Sequence, residues 1–221
     1  MGENEYDIFN CDYTVEKTEE YLSMVVNEKY SQEQVRQILE AFNIAGCAHN
    51  NQFRCNDAPY FIHPMRVAIM LLKFDRNTIS KVFIAALLHD TAEKTNITFA
   101  EIEEQFGAYV AKLIRSVTRK HNERQSPQEK AEAKCQNWLE VMSSSHEVRM
   151  IKACEDLDNM ICWKSIPASA PCRKKVQRWL NEAEKMSLPL ARITNLEVYN
   201  VMRQEYEYYV EHGYAYSADA P

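Results

Sequence analysis

A histidine and an aspartate stand side by side at the end of an apolar run, Ile84-Ala85-Ala86-Leu87-Leu88-His89-Asp90, followed by Thr91-Ala92-Glu93-Lys94-Thr95. The run begins at Ile79, includes Val82 and Phe83, and is apolar all round, so it reads as a helix buried in the middle of a domain. Burying two ionisable groups at the end of such a helix is costly unless something pairs with them. A divalent metal would do so, because neutral imidazole and carboxylate are natural ligands for it. Glu93 lies four residues after His89 and three after Asp90. A helix continued through Ala92 puts all three on one face, with Glu93 placed to act on a water at the metal.

Two other stretches carry groups of the same kind. His63 precedes Pro64 in Pro59-Tyr60-Phe61-Ile62-His63-Pro64, and Lys152-Ala153-Cys154-Glu155-Asp156-Leu157-Asp158-Asn159 concentrates charge on a later helix. There Glu155 and Asn159 share a face, while Asp156 points about 100° away from Glu155. Each group also has a plainer role open to it. A His-Asp pair at a helix end can be a cap or an ion pair, Arg54 a surface ion pair, and Asn159 a partner for backbone groups. His49 reads as a hydrogen-bonding residue near a helix end, and His121 and His146 as solvent-exposed. Lys112, Arg115, Arg119 and Lys120 form either a basic rim or an ordinary solvated face. Glu205-Tyr206-Glu207-Tyr208-Tyr209 reads as a solvated aromatic helix face through which copies of the chain could associate into a homo-oligomer.

The elements that must position these groups are helices throughout. After an N-terminal arm over residues 1–13, helical periodicity runs from Thr14 to about Lys29. Ser31-Gln32-Glu33-Gln34 then opens a second helix as a capping box. Residues 50–60 have loop chemistry. Pro64 suits the first turn of a third helix to about Phe74, and the central helix follows over roughly 77–90. Thr98 and Ser126 open two further capping boxes, Gly107 suits a helix end, and helices are expected over 108–119, 126–142, 144–163, 172–187 and 190–212. No period-2 strand stands out. The expectation is an all-α single domain over residues 14–221, about ten helices in a bundle with the metal site in its middle.

Composition narrows the function. Four glycines among 221 residues, against roughly 15 at an average usage of about 7%, argue against a turn-rich β fold. A net charge of −6 argues against a broad nucleic-acid or anionic-membrane surface. Neither a signal peptide nor an apolar run near the ~20 residues of a membrane span is apparent. The seven cysteines contain no C-x-x-C pair and read as free thiols of a cytoplasmic protein.

The motifs together resemble the HD phosphohydrolase superfamily. More narrowly, they are similar to the hydrolase domain of the RelA/SpoT proteins and the stand-alone small alarmone hydrolases. The resemblance rests on Ala48 to Arg54, Pro59 to Pro64, Ala85 to Thr95, Phe106 to Thr118, Ile151-Lys152 and Asn159-Met160, and is strongest over residues 30–200. It implies an HD-domain helical bundle that removes the 3′-pyrophosphate of (p)ppGpp, usually with Mn²⁺. It implies His63, His89, Asp90 and Glu155 as metal ligands, Glu93 as the group positioning the attacking water, and Arg54, Asn159 and Lys152 as nucleotide contacts. The chain departs from that pattern at Lys94, where the family continues with an acid, and a cation acting on the phosphoryl group is the expectation there. It departs also at Cys55-Asn56-Asp57, which lacks a basic residue and a glycine, and at Glu155, where the family has Asp. The rest of the chain leaves no room for a synthetase domain, so a hydrolase-only protein is expected. Those departures keep two rival readings in play: hydrolysis of another nucleotide or phosphometabolite, and a catalytically weakened module that binds an alarmone.

Overall fold

A computed structural model describes residues 7, 9, 10, 14–118 and 126–212. Among them every regular element is a helix, and extended pairing is limited to one bridge between Phe53 and Pro59. The helices are α1 (Val15–Lys29), α2 (Gln32–Ala48), α3 (Ile62–Phe74), α4 (Ser80–Leu88), α5 (Thr91–Lys94), α6 (Phe99–Phe106) and α7 (Ala108–Val117). They continue with α8 (Pro127–Met142), α9 (His146–Trp163), α10 (Val176–Glu182), α11 (Leu188–Thr194) and α12 (Leu196–Glu211). Among the described residues no helix is long and apolar enough to cross a membrane.

Local chemistry sets the ends. Ser31, Thr98 and Ser126 each accept from the backbone three residues on, while Gln34, Glu101 and Glu129 return the bond, so all three capping boxes form. Gly107 separates α6 from α7 at φ +88°, a conformation that suits a residue without Cβ. The core is built where α3 packs between α4 and α9, with α2 and α7 against α4. Nearly every residue of α3 and α4 is buried, including His63 and Arg66.

Three local expectations are corrected. The central helix does not run through Asp90: α4 stops at Leu88, and His89-Asp90 form a turn before α5. Side chains take over carbonyls there, since the Thr91 hydroxyl donates to Leu88 O at 2.7 Å and His89 Nδ1 binds Ala86 O at 2.7 Å. Such local bonds compete with helix continuation. The aromatic run of α12 is not a solvated face throughout. Tyr208 is 44% exposed, but Tyr209 is 1% and Glu205 9% exposed, because Met202, Glu205 and Tyr209 recur at helical spacing towards the core. The thiols are not all isolated, because the 50–60 loop lies beside the segment after α9. That neighbourhood puts the sulfurs of Cys55 and Cys172 in contact, their Cα atoms 6.3 Å apart, a separation a disulfide spans. Cys47, Cys135, Cys154 and Cys162 form no disulfide among the described residues, and Cys11 lies outside them.

Candidate metal centre

The first turn of α3 brings His63, and the turn after α4 brings His89 and Asp90, to one buried point where a ligand atom from each lies within 4.8 Å of the others. His63 Nε2 is 3.7 Å and His89 Nε2 3.3 Å from Asp90 Oδ2. The outer nitrogens are committed elsewhere. His89 Nδ1 faces the Ala86 carbonyl, and His63 Nδ1 lies 2.6 Å from Asp158 Oδ2. Both partners only accept, so each Nδ1 carries a hydrogen, and in the neutral imidazole each Nε2 turns a lone pair towards Asp90. Second partners of this kind orient metal-binding histidines.

The electrostatics prepare the same point for a cation. Burial, reinforced by the Arg54 charge, lowers the His63 pKa to about 4, leaving a neutral imidazole at neutral pH. Burial opposes charge on His89 as well, yet the nearby carboxylates of Asp90 and Glu155 outweigh it and raise its pKa. Asp90 is held well below the usual carboxylate range, against its burial, by His89, Lys94 and His63. Tyr60 Oη donates to Asp90 Oδ2 at 2.6 Å, and Lys94 Nζ is 2.5 Å from Oδ1. His89 Nε2 is buried with no hydrogen-bond partner among the described residues. An unsatisfied buried nitrogen beside a carboxylate is what a divalent ion would complete, and two nitrogens and one oxygen suit a borderline metal. The residues fit the group.

Glu155 stands beside this triad rather than within it. Its Oε1 is 2.9 Å from Lys152 Nζ, which also lies 2.9 Å from Asp156 Oδ1, and Ser187 donates to the far oxygen of Asp156 at 2.8 Å. Glu93 is exposed and lines the cavity above the triad, no longer on a helix continuous with His89. Arg54 is turned inward by the 50–60 loop, whose Asn51 and Asp57 adopt φ of 60°, a left-handed turn conformation Asn and Asp tolerate. Its guanidinium donates to Asp158 Oδ2 at 2.6 Å and to Asn159 Oδ1 at 2.7 Å. Arg54, Lys94, Lys152 and Asn159 all face one cavity of about 500 Å³ with the triad at its floor.

His49, at the end of α2, bonds Gln52 at 3.0 Å and packs 4.9 Å from the Tyr60 ring, as a helix-end residue near the site. Lys112 and Arg115 are exposed away from the cavity lining, so they form a solvated face, and Arg115 pairs with Glu103 at 3.1 Å. His146 is exposed, whereas Arg119, Lys120 and His121 lie outside the described residues.

The residue that sequence reasoning passed over is Asp158. It is fully buried and receives His63 Nδ1, Arg54 and Arg66 Nε, the last at 2.5 Å, and the Arg66 and Arg54 charges, with the His63 hydrogen bond, hold its carboxyl far below the usual range despite burial. Its signal was its register. Asp158 falls four residues after Cys154 and four before Cys162, on the buried side of α9. Arg66 gives the mirror-image signal, a cation inside the buried run of α3.

The HD domain family matches residues 41–182. The chain is 38% identical over 126 residues to the guanosine-3′,5′-bis(diphosphate) 3′-pyrophosphohydrolase MESH1 of Danio rerio, covering 56% of this chain and 67% of that protein. It is 40% identical over 129 residues to the guanosine-3′,5′-bis(diphosphate) 3′-pyrophosphohydrolase of Aquifex aeolicus, of which the match spans 17%. Among solved structures, that of a metazoan SpoT ortholog that hydrolyzes ppGpp superposes with a TM-score of 0.68 at 25% identity, covering 80% of this chain and 96% of the other. Lmo0812 of Listeria monocytogenes shares the fold, with a TM-score of 0.53 at 23% identity over 69% of this chain and 96% of the other.

Proposed function

The chain belongs to the HD domain family, and from that premise we propose that it is a divalent-metal-dependent phosphohydrolase that removes the 3′-pyrophosphate of (p)ppGpp. One observation carries the reading: the two buried Nε2 lone pairs and the Asp90 carboxylate converge at the floor of a cavity large enough for a nucleotide. The names borne by the relatives supply the substrate class. His63, His89 and Asp90, with Glu155, would hold the ion, Mn²⁺ in this reading. When bound it would supply Lewis-acid chemistry, making a water nucleophilic at neutral pH and drawing charge from the phosphoryl oxygens.

The chain's own residues do the rest. Glu93, at the cavity wall, takes the proton of the attacking water. Tyr60 and Lys94 fix the Asp90 carboxylate from two sides. Arg54, Lys94, Lys134, Lys152 and Arg178 line the cavity together with Asp90, Glu93, Glu155, Asp156 and Glu182. The formal charges of these two sets balance, so a dication turns the cavity net positive and suited to a polyphosphate. Asp158 holds Arg54 at this wall, where its guanidinium and Asn159 contact the nucleotide. The substrate is intracellular, so the reading places the protein in the cytoplasm, with self-association left to the exposed face around Tyr208.

The Lys94–Asp90 pair favours a second reading, a weakened domain that binds an alarmone without turning it over, since a cation already engages a metal ligand. Purified protein assayed with manganese against ppGpp, adenine alarmones and common nucleotides separates these. Pyrophosphate release from ppGpp supports the first reading, release only from another nucleotide redirects the substrate, and tight binding without release supports the module.

A further inference from the structure

The chain has three tryptophans, and all three, Trp138 of α8, Trp163 of α9 and Trp179 of α10, line the cavity above the metal triad. Trp163 and Trp179 are stacked, centroids 5.6 Å apart and planes 26° apart. Behind them Tyr209 packs 5.9 Å from Trp163, and its hydroxyl donates to Met160 O at 2.7 Å. The wall is therefore braced by the core, while each indole remains only half-buried. Across the cavity Phe53 is 64% exposed on the loop that carries Arg54. Lys134 and Arg178 border the tryptophan wall, and Lys134 is tied to Glu182 at 2.5 Å.

A core needs tryptophans packed on every side, and a phosphate pocket needs none. Half-buried indoles gathered from three helices beside cations make instead a platform for a flat aromatic ring. We propose that this wall is the base-binding subsite, taking a purine ring against Trp179 with Trp138 and Phe53 flanking it, while the phosphates extend towards the metal triad. The proposal deepens the phosphohydrolase reading and rests on it for the nucleotide, but stacking itself requires neither metal nor turnover. Recognition through ring faces tolerates different bases, so adenine and guanine nucleotides should bind with similar strength at this wall.

The test uses the full chain in EDTA, excited selectively at its tryptophans. Guanosine 5′-diphosphate and adenosine 5′-diphosphate are titrated as probes, with inorganic pyrophosphate as the base-free control. Saturable quenching by both nucleotides and none by pyrophosphate is expected. Trp179→Leu should weaken nucleotide binding roughly tenfold, measured by calorimetry, and Trp179→Phe should recover most of it, since a benzene ring still stacks. Circular dichroism confirms that both variants fold. Undiminished nucleotide binding in Trp179→Leu, no rescue by Phe, or quenching by pyrophosphate equal to that by the nucleotides overturns the subsite. Base-dependent quenching without ppGpp turnover under manganese would leave the subsite standing and remove the hydrolase reading. Turnover with base-independent binding would do the reverse.

Discussion

Lys94 Nζ lies 2.5 Å from Asp90 Oδ1, placing an ammonium on the carboxylate that the two buried histidines face. The contact lies within one turn, because Lys94 N also closes onto Asp90 O at 3.0 Å. Any divalent ion shares Asp90 with this cation. At 36% side-chain exposure Lys94 is partly screened, so its repulsion amounts to a modest cost of about 1 kcal/mol. Lys94→Ala is expected to bind manganese roughly fivefold more tightly by calorimetry, yet to hydrolyse ppGpp more slowly, because a phosphate-facing cation is gone. Unchanged turnover with unchanged metal content would remove Lys94 from the mechanism.

Asp158 links His63 of the candidate metal centre to Arg54, the proposed nucleotide contact. Its buried carboxylate holds His63 Nδ1 with one oxygen, shared with Arg54, and Arg66 with the other. Asp158→Asn leaves buried cations uncompensated and is expected to cost about 3–5 kcal/mol of stability in urea unfolding. In whatever fraction folds, manganese affinity should fall roughly 10- to 100-fold, as for other losses of a partner behind a metal-bound histidine.

Acid should unfold the metal-free protein early, and the sign follows from the depressed pKa values. Above pH 6.5 His63 is neutral in both states. Between about 6.5 and 4 the unfolded chain takes a proton that the folded chain refuses, so stability falls as pH falls. One such group contributes on the order of 3 kcal/mol across that window. His49, also depressed by burial, adds in the same direction. Asp158 stabilises above its ordinary carboxylate range and is lost only at lower pH, through its own depressed value. His89, whose pKa is raised, opposes this only above about pH 6.5, where the folded chain takes the extra proton. Urea midpoints at pH 6, 5 and 4.5 in EDTA should therefore decline, and a flat profile would contradict the burial argument.

Glu155 is the proposed ligand whose assignment rests on the resemblance, since its carboxylate is engaged by Lys152 at 2.9 Å. Glu155→Ala should lower manganese affinity by at least tenfold while leaving the fold intact. Glu155→Asp should retain most of the affinity, because Asp is the family's residue there. If Glu155→Ala binds metal as the parent does, the centre has three protein ligands and Glu155 serves Lys152 alone.

Much of this organisation is legible in the sequence, for identifiable reasons. His63, His89 and Asp90 stand out because ionisable groups interrupt apolar runs, and Ser31, Thr98 and Ser126 mark helix starts because capping is local. The break at His89-Asp90 is not legible, since neither Gly nor Pro marks it. It arises from the Thr91 and His89 side chains bonding backward. Asp158 was readable from its register with Cys154 and Cys162, yet the adjacent acids Glu155 and Asp156 masked it. The tryptophan wall could not be read at all, because Trp138, Trp163 and Trp179 meet only once α8, α9 and α10 pack around the cavity.

The central claim is a metal centre at His63, His89 and Asp90 that hydrolyses ppGpp. The most direct measurement pairs metal content by mass spectrometry with pyrophosphate release from ppGpp, for the parent protein and His89→Ala. The account predicts about one divalent ion per parent chain with manganese-dependent release of pyrophosphate and guanosine 5′-diphosphate, and loss of both in His89→Ala. A parent protein that binds no divalent ion, or one that releases pyrophosphate equally well without His89, would contradict it.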